Sequence, residues 1–162
     1  LQPDHADLQL ALARARREAG DWNAARDAAQ AALKLQPGYA AASFELARLE
    51  RGLGHLEAAE GLLVELVSRR PEWADAQAEL GRTRLVKGDA RGAEGALRSA
   101  IARHPDFAAA HADLGWALAA QSRTDEADAA FARALDLDPF CALPRQQLAW
   151  RELLVRTEAS SD

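Results

Sequence analysis

Three arginines stand 34 residues apart, at Arg14, Arg48 and Arg82, and Trp116 and Trp150 continue the same spacing. Arg17 and Arg51 follow the first two by three residues each. A guanidinium is suited to bidentate capture of a carboxylate, and an exposed indole to apolar or cationic groups. Such a row does the chemistry of recognition rather than of bond-making. A blander reading stands beside it. Glu45 precedes Arg48 by three residues and Glu79 precedes Arg82 by three, so on a helix each pair can satisfy itself. The residues alone leave both readings open.

No other constellation rises to a chemical motif. The chain has no Gly-rich phosphate loop, no paired cysteines and no His-Glu-x-x-His helix, and it is read as non-enzymatic, with neither cofactor nor metal. His104 and His111 flank a proline turn but lack a third ligand. Cys141 has no histidine near it in sequence and reads as a small, buried or half-buried residue. A net charge of -5 over 162 residues argues against a general nucleic-acid binder. No apolar run approaches the roughly 20 residues of a membrane helix, and no signal peptide is visible at the start. The abundance of Ala and Arg points to a bacterium of high GC content.

The elements that must position these side chains follow from a comb of prolines. Pro3, Pro37, Pro71, Pro105 and Pro139 are each 34 residues apart, the mark of a repeat array. Hydrophobic residues make up 49% and aromatic ones 6%, so Ala and Leu carry the apolar surface, which favours helix. Each unit reads as two helices separated by a short turn. The spacing predicts helices over 6–19, 22–35, 40–53, 56–70, 74–87, 90–103, 108–121 and 124–137, and a ninth from about 143 to 156. Leu12, Leu46, Leu80, Leu114 and Leu148 form one column. Ala13, Ala47, Gly81, Gly115 and Ala149 form the next, where a small residue lets the second helix approach. Ala25, Ala59, Ala93 and Ala127 are the matching small column, with Ala29, Leu63, Leu97 and Phe131 beside it. Tyr39, Trp73 and Phe107 each follow a comb proline by two residues and are expected to plug the junction with the next unit.

These residues resemble the tetratricopeptide repeat, a 34-residue helix-turn-helix unit. The fourth unit matches its pattern at Leu114-Gly115, Ala127, Phe131 and Pro139, and the third at Leu80-Gly81, Ala93 and Pro105. The family's leading Trp is replaced by Gln9, Ser43, Gln77 and His111, and its Tyr by Arg16, Glu50, Arg84 and Leu118. The resemblance implies an all-α, right-handed α-α superhelix with units at 6–39, 40–73, 74–107 and 108–141. A capping helix over 142–157 and a polar tail over 158–162 complete the expected layout. Residues 1–5 repeat the register of Leu35-Gln36-Pro37 and read as the remnant of a preceding unit, so the chain is expected to be part of a longer protein.

The resemblance also implies that the first helix of each unit lines a concave face. Four columns then face inward: Asp7, Ala41, Asp75 and Ala109; Leu10, Phe44, Ala78 and Ala112; Ala11, Glu45, Glu79 and Asp113; and the arginine row. The partner-binding candidates are Arg14, Arg17, Phe44, Arg48, Arg51, Arg82, Trp116 and Trp150, with the N-terminal end of the groove the more basic. The implied partner is a protein or peptide of acidic character, not a nucleic acid or a membrane. The carboxylate clamp that takes Hsp70/Hsp90 C-terminal peptides is excluded. Its places hold Leu10, Arg14, Glu45, Asp75 and Glu79, or one unit later Phe44, Arg48, Glu79, Ala109 and Asp113, and the acids would repel a terminal carboxylate. The expected function is a non-catalytic scaffold. The alternatives are a recruiting domain of a larger enzyme, such as a transferase or hydroxylase, and a module that self-associates or docks a flanking domain through its ends, where Leu8, Leu12 and Ala15 lack a covering helix and Leu143, Leu148, Trp150, Leu153, Leu154 and Val155 span more than one face of the terminal helix.

Overall fold

The computed structural model describes residues 5–140. Every regular element among them is an α-helix: α1 (His5–Glu18), α2 (Trp22–Leu35), α3 (Ala40–Gly52), α4 (Leu56–Arg69), α5 (Ala74–Lys87), α6 (Ala90–Arg103), α7 (Ala108–Ala119) and α8 (Thr124–Leu137). The expected ninth helix, with Trp150 and Leu148, and Cys141 lie outside the described residues. Helix ends fall within two residues of those predicted; α7, for instance, stops at Ala119 rather than Gln121. Each helix packs on its neighbours in sequence, and α1, α3, α5 and α7 also touch in succession. The result is a superhelical solenoid with the odd-numbered helices forming one layer and the even-numbered helices the other.

One turn is used four times. Gly20, Gly54, Gly88 and Ser122 share the left-handed conformation, with φ of 81°, 84°, 86° and 61°. Behind each, two backbone bonds close the first helix. At Gly88 they run from Gly88 N to Leu85 O (3.0 Å) and from Asp89 N to Arg84 O (2.9 Å). This is a Schellman closure, and it satisfies carbonyls that would otherwise be orphaned. The next residue already caps the second helix. Asp21 and Asp89 do so with their side chains, accepting from Ala24 N and Gly92 N. His55 and Arg123, at the equivalent places, make no side-chain cap.

The core follows the predicted columns. Ala25, Ala59, Ala93 and Ala127 are buried, as are Ala29, Leu63, Leu97 and Phe131. The small residues on the facing helices set the approach. A Cβ on Gly81 would lie 2.5 Å from Leu97 Cγ, and one on Gly115 would run into the Phe131 ring. Where the partner column holds Ala29 or Leu63, the facing residue is Ala13 or Ala47, both buried. Tyr39, Trp73 and Phe107 are half-buried and pack against the core at the unit junctions, as expected. The leucine column departs from expectation at one end. Leu46, Leu80 and Leu114 are buried, whereas Leu12 is 39% exposed. The even-numbered helix of one unit covers this column on the next, and among the described residues nothing stands in that place before α1.

Candidate functional site

The layer of odd-numbered helices carries the row of cations. Arg14 lies on α1, Arg48 on α3 and Arg82 on α5, each on the face that the acids Glu45, Glu79 and Asp113 share. The acids are the better buried partners. Glu45 and Glu79 side chains are 3% and 4% exposed, and buried polar groups need ion pairs or hydrogen bonds. They obtain them mainly across unit boundaries. Arg17 Nε donates to Glu45 Oε1 at 2.6 Å, and one unit on, Arg51 Nε donates to Glu79 Oε1 at 2.5 Å. Arg82 donates through Nε and Nη2 to Asp113 Oδ2 and through Nη1 to Glu79 Oε2.

The within-helix pairs foreseen from spacing are therefore the weaker part of the network. Arg82 does reach Glu79 at 3.3 Å, but Arg48 stays 3.8 Å from Glu45, beyond hydrogen-bond reach. The cross-unit pairs were hidden because they need two combs read together, arginines at 17 and 51 and glutamates at 45 and 79, offset by 28 residues. At the third repeat of that offset the arginine is replaced by Leu85, and Arg82 serves Asp113 instead. Burial raises the Asp113 carboxyl above its ordinary range, and Arg82 offsets this only in part. For Arg82, burial works against the charge, but Asp113 and then Glu79 outweigh it and the pKa rises.

Phe44 faces the groove on α3. Its ring stacks on Trp73 with centroids 5.0 Å apart, and the Arg48 guanidinium lies 5.9 Å above it. Beside them opens a pocket of about 250 Å³, lined by Phe44 and Arg48 from α3, Asp75, Ala78, Glu79 and Arg82 from α5, and Phe107 and Ala109 at the start of α7. It spans three successive odd-numbered helices. Two of its walls, Asp75 and Phe107, were read from sequence as an inner-column acid and a junction plug, and only the fold brings them beside Arg48. The rest of the Phe44 column is packed away: Leu10 and Ala112 are buried, and Ala78 forms part of the pocket wall.

Trp116 is half-buried, as Phe44 and Arg48 are, is set edge-on to Phe131 at 5.3 Å, and does not line this pocket. The physical reason is Gly115. The missing side chain lets Phe131 of α8 press against α7, and the indole covers the edge of that ring. The histidines expected at the proline turn also find ordinary partners. His104 packs on Phe107, and His111 Nε2 lies 2.9 Å from the Pro105 carbonyl. No helix among the described residues is long and apolar enough to cross a membrane.

Comparison with known proteins agrees with this architecture. Two family models, both described as tetratricopeptide repeat, match residues 16–81 and 78–140. The chain belongs to the tetratricopeptide repeat family. Solved TPR structures superpose on it over most of its length. TTC0263, a thermophilic TPR protein of Thermus thermophilus, gives a TM-score of 0.77 at 26% identity and covers 83% of this chain and 75% of its own. MamA 41-end of Desulfovibrio magneticus RS-1 gives 0.81 at 20% identity, with 98% and 88% covered. YrrB, described as a TPR protein with an unusual peptide-binding site, gives 0.77 at 17% identity, with 89% and 74% covered. No curated protein sequence matches the chain. The TPR fold fits a protein-interaction scaffold.

Proposed function

We propose that this TPR array is a non-catalytic module that holds a segment of a protein or peptide of acidic character along the groove of its first helices. The proposed units are 6–39, 40–73, 74–107 and 108–141, with a covering helix over 142–157. The observation that carries the reading is the pocket between Phe44, Arg48, Arg82 and Phe107. It crosses three successive units, so an extended segment lying along the solenoid axis would meet aromatic and charged side chains together. The described peptide-binding site of YrrB supports the class of ligand. Ala109 sits half-buried at the start of α7 on the pocket wall. Ala109→Trp should fill the pocket with the helicity kept. A partner captured by the wild-type chain from an extract of its own organism should be lost by this variant. Equal capture by both would remove the groove from consideration.

A second reading has its own observation. Leu8 is 50% exposed, and Leu12 and Ala15 are exposed beside it on the outer face of α1. The same columns one unit on, Ala42, Leu46 and Leu49, are buried. This face supports docking of a flanking domain or a second copy at the end of the array. Leu8→Lys with Leu12→Lys should abolish any dimer seen by analytical ultracentrifugation. A wild-type chain that is monomeric at high concentration would leave only the flanking domain.

A further inference from the structure

Not all five groove arginines are equally available. Arg17, Arg51 and Arg82 are committed to Glu45, Glu79 and Asp113 by hydrogen bonds of 2.5–3.3 Å. Arg14 and Arg48 make no hydrogen bond among the described residues. Arg14 Nε is 4.0 Å, and Arg48 Nη1 3.8 Å, from the same oxygen, Glu45 Oε2. They reach it from different helices, and their side chains are 53% and 36% exposed. The neighbouring Asp7 carboxylate accepts a hydrogen bond from the Tyr39 hydroxyl. Three guanidiniums thus converge on Glu45, and the donors of two of them, Arg14 and Arg48, make no hydrogen bond among the described residues.

We propose that Arg14 and Arg48 form a two-arginine clip for one acidic side chain of the bound segment, and that the neighbouring large apolar side chain fills the Phe44–Phe107 pocket. The inference rests on the groove reading above and specifies its ligand. Arg48 belongs to both subsites, since it also lines the pocket. The Arg48 guanidinium lies 5.9 Å from the Phe44 ring centroid, and an extended chain advances about 3.3 Å per residue, so the acid and the apolar residue must lie within about two positions of each other. The pocket also has a carboxylate in its lining. Asp75 stands on its wall, exposed and without a partner among the described residues. An acid entering the pocket itself would meet that carboxylate and be disfavoured, whereas a large apolar side chain would not. The recognised element is therefore an acid for the clip and, close to it in sequence, a large apolar residue for the pocket.

A random heptapeptide phage library selected on the purified chain supplies the probe. The expected outcome is enrichment of sequences with Asp or Glu within two positions of Leu, Ile, Phe or Trp. A fluorescein-labelled peptide from that selection is then measured by polarisation. Arg14→Gln and Arg48→Gln should each raise Kd about fivefold or more, as expected for loss of a charge-assisted contact at a half-exposed site. Replacing the peptide's acid by its amide should raise Kd similarly, with little further loss in the double variant. Selected peptides without an acid, or a Kd unmoved in Arg14→Gln and Arg48→Gln, would overturn the clip. If those two variants leave Kd unchanged while Ala109→Trp abolishes binding, the groove stands and the clip falls. If Ala109→Trp also leaves binding intact, or no peptide is enriched, both fall.

Discussion

The leucine column offers a controlled test of how the array is held together. Leu80 and Leu12 occupy the same position in the repeat, 68 residues apart, but Leu80 is 3% exposed and Leu12 39%. Leu80 packs in a cluster with Ala47, Leu63, Leu66 and Ala96. Replacing it by Ala removes three methylene equivalents at ~0.8 kcal/mol each, and the enclosed cavity brings the cost to about 3 kcal/mol. At Leu12 the transfer contribution shrinks with exposure, and a void open to water adds no cavity cost, so about 1 kcal/mol is expected. The gap of about 2 kcal/mol should appear as a larger loss of urea midpoint for Leu80→Ala, followed by circular dichroism at matched slopes. Repeat arrays can unfold from their ends. Amide exchange should accordingly show loss of protection spreading from α5 in Leu80→Ala and confined to α1 in Leu12→Ala. Equal midpoint shifts would refute the view that cover from the preceding unit's second helix is what separates the two positions.

Other outcomes follow from single contacts. Ser122 is the only non-glycine at positive φ among the described residues, so Ser122→Gly should raise stability by up to about 1 kcal/mol, and Gly88→Ser should lower it by a similar amount; thermal melts would show both signs. Gly81→Ala should cost about 1–3 kcal/mol through collision with Leu97, and Leu97→Ala in the same chain should recover part of it, whereas a loss that adds without recovery would show the contact is not the cause. Glu94 accepts from Gln121 Nε2 at 2.9 Å, from Arg123 Nη1 at 2.7 Å and from Arg98 Nε at 2.9 Å, and these hold its carboxyl down at about 2. Because its folded value lies below the unfolded one, its stabilisation is fully present above about pH 5 and fades as pH falls towards 2. The stability difference between wild type and Glu94→Gln should shrink over that window in urea titrations at stepped pH, and a constant difference would refute the assignment.

The sequence by itself determined the repeat, its period, the helix pairs and nearly all of the packing columns. The physical reason is redundancy. A unit that cannot bury its own apolar face must meet an identical neighbour, so the same large and small residues recur every 34 positions and the core is written four times. Gly81 opposite Leu97 and Gly115 opposite Phe131 could be matched from the columns before any coordinates. The charged groove was legible as columns of acids and bases, but not as pairs. Spacing gives neighbours along one helix, and so pointed to Glu45 with Arg48. Tertiary structure decided that Glu45 bonds Arg17 of the preceding unit, that Arg82 turns to Asp113, and that Trp116 packs against Phe131. A long guanidinium can reach several carboxylates at similar sequence cost, and which one it takes depends on distances between helices that a one-dimensional period does not contain. For the same reason, only the fold distinguishes Arg14 and Arg48, without hydrogen bonds among the described residues beside a shared oxygen, from three other arginines of the same type and spacing.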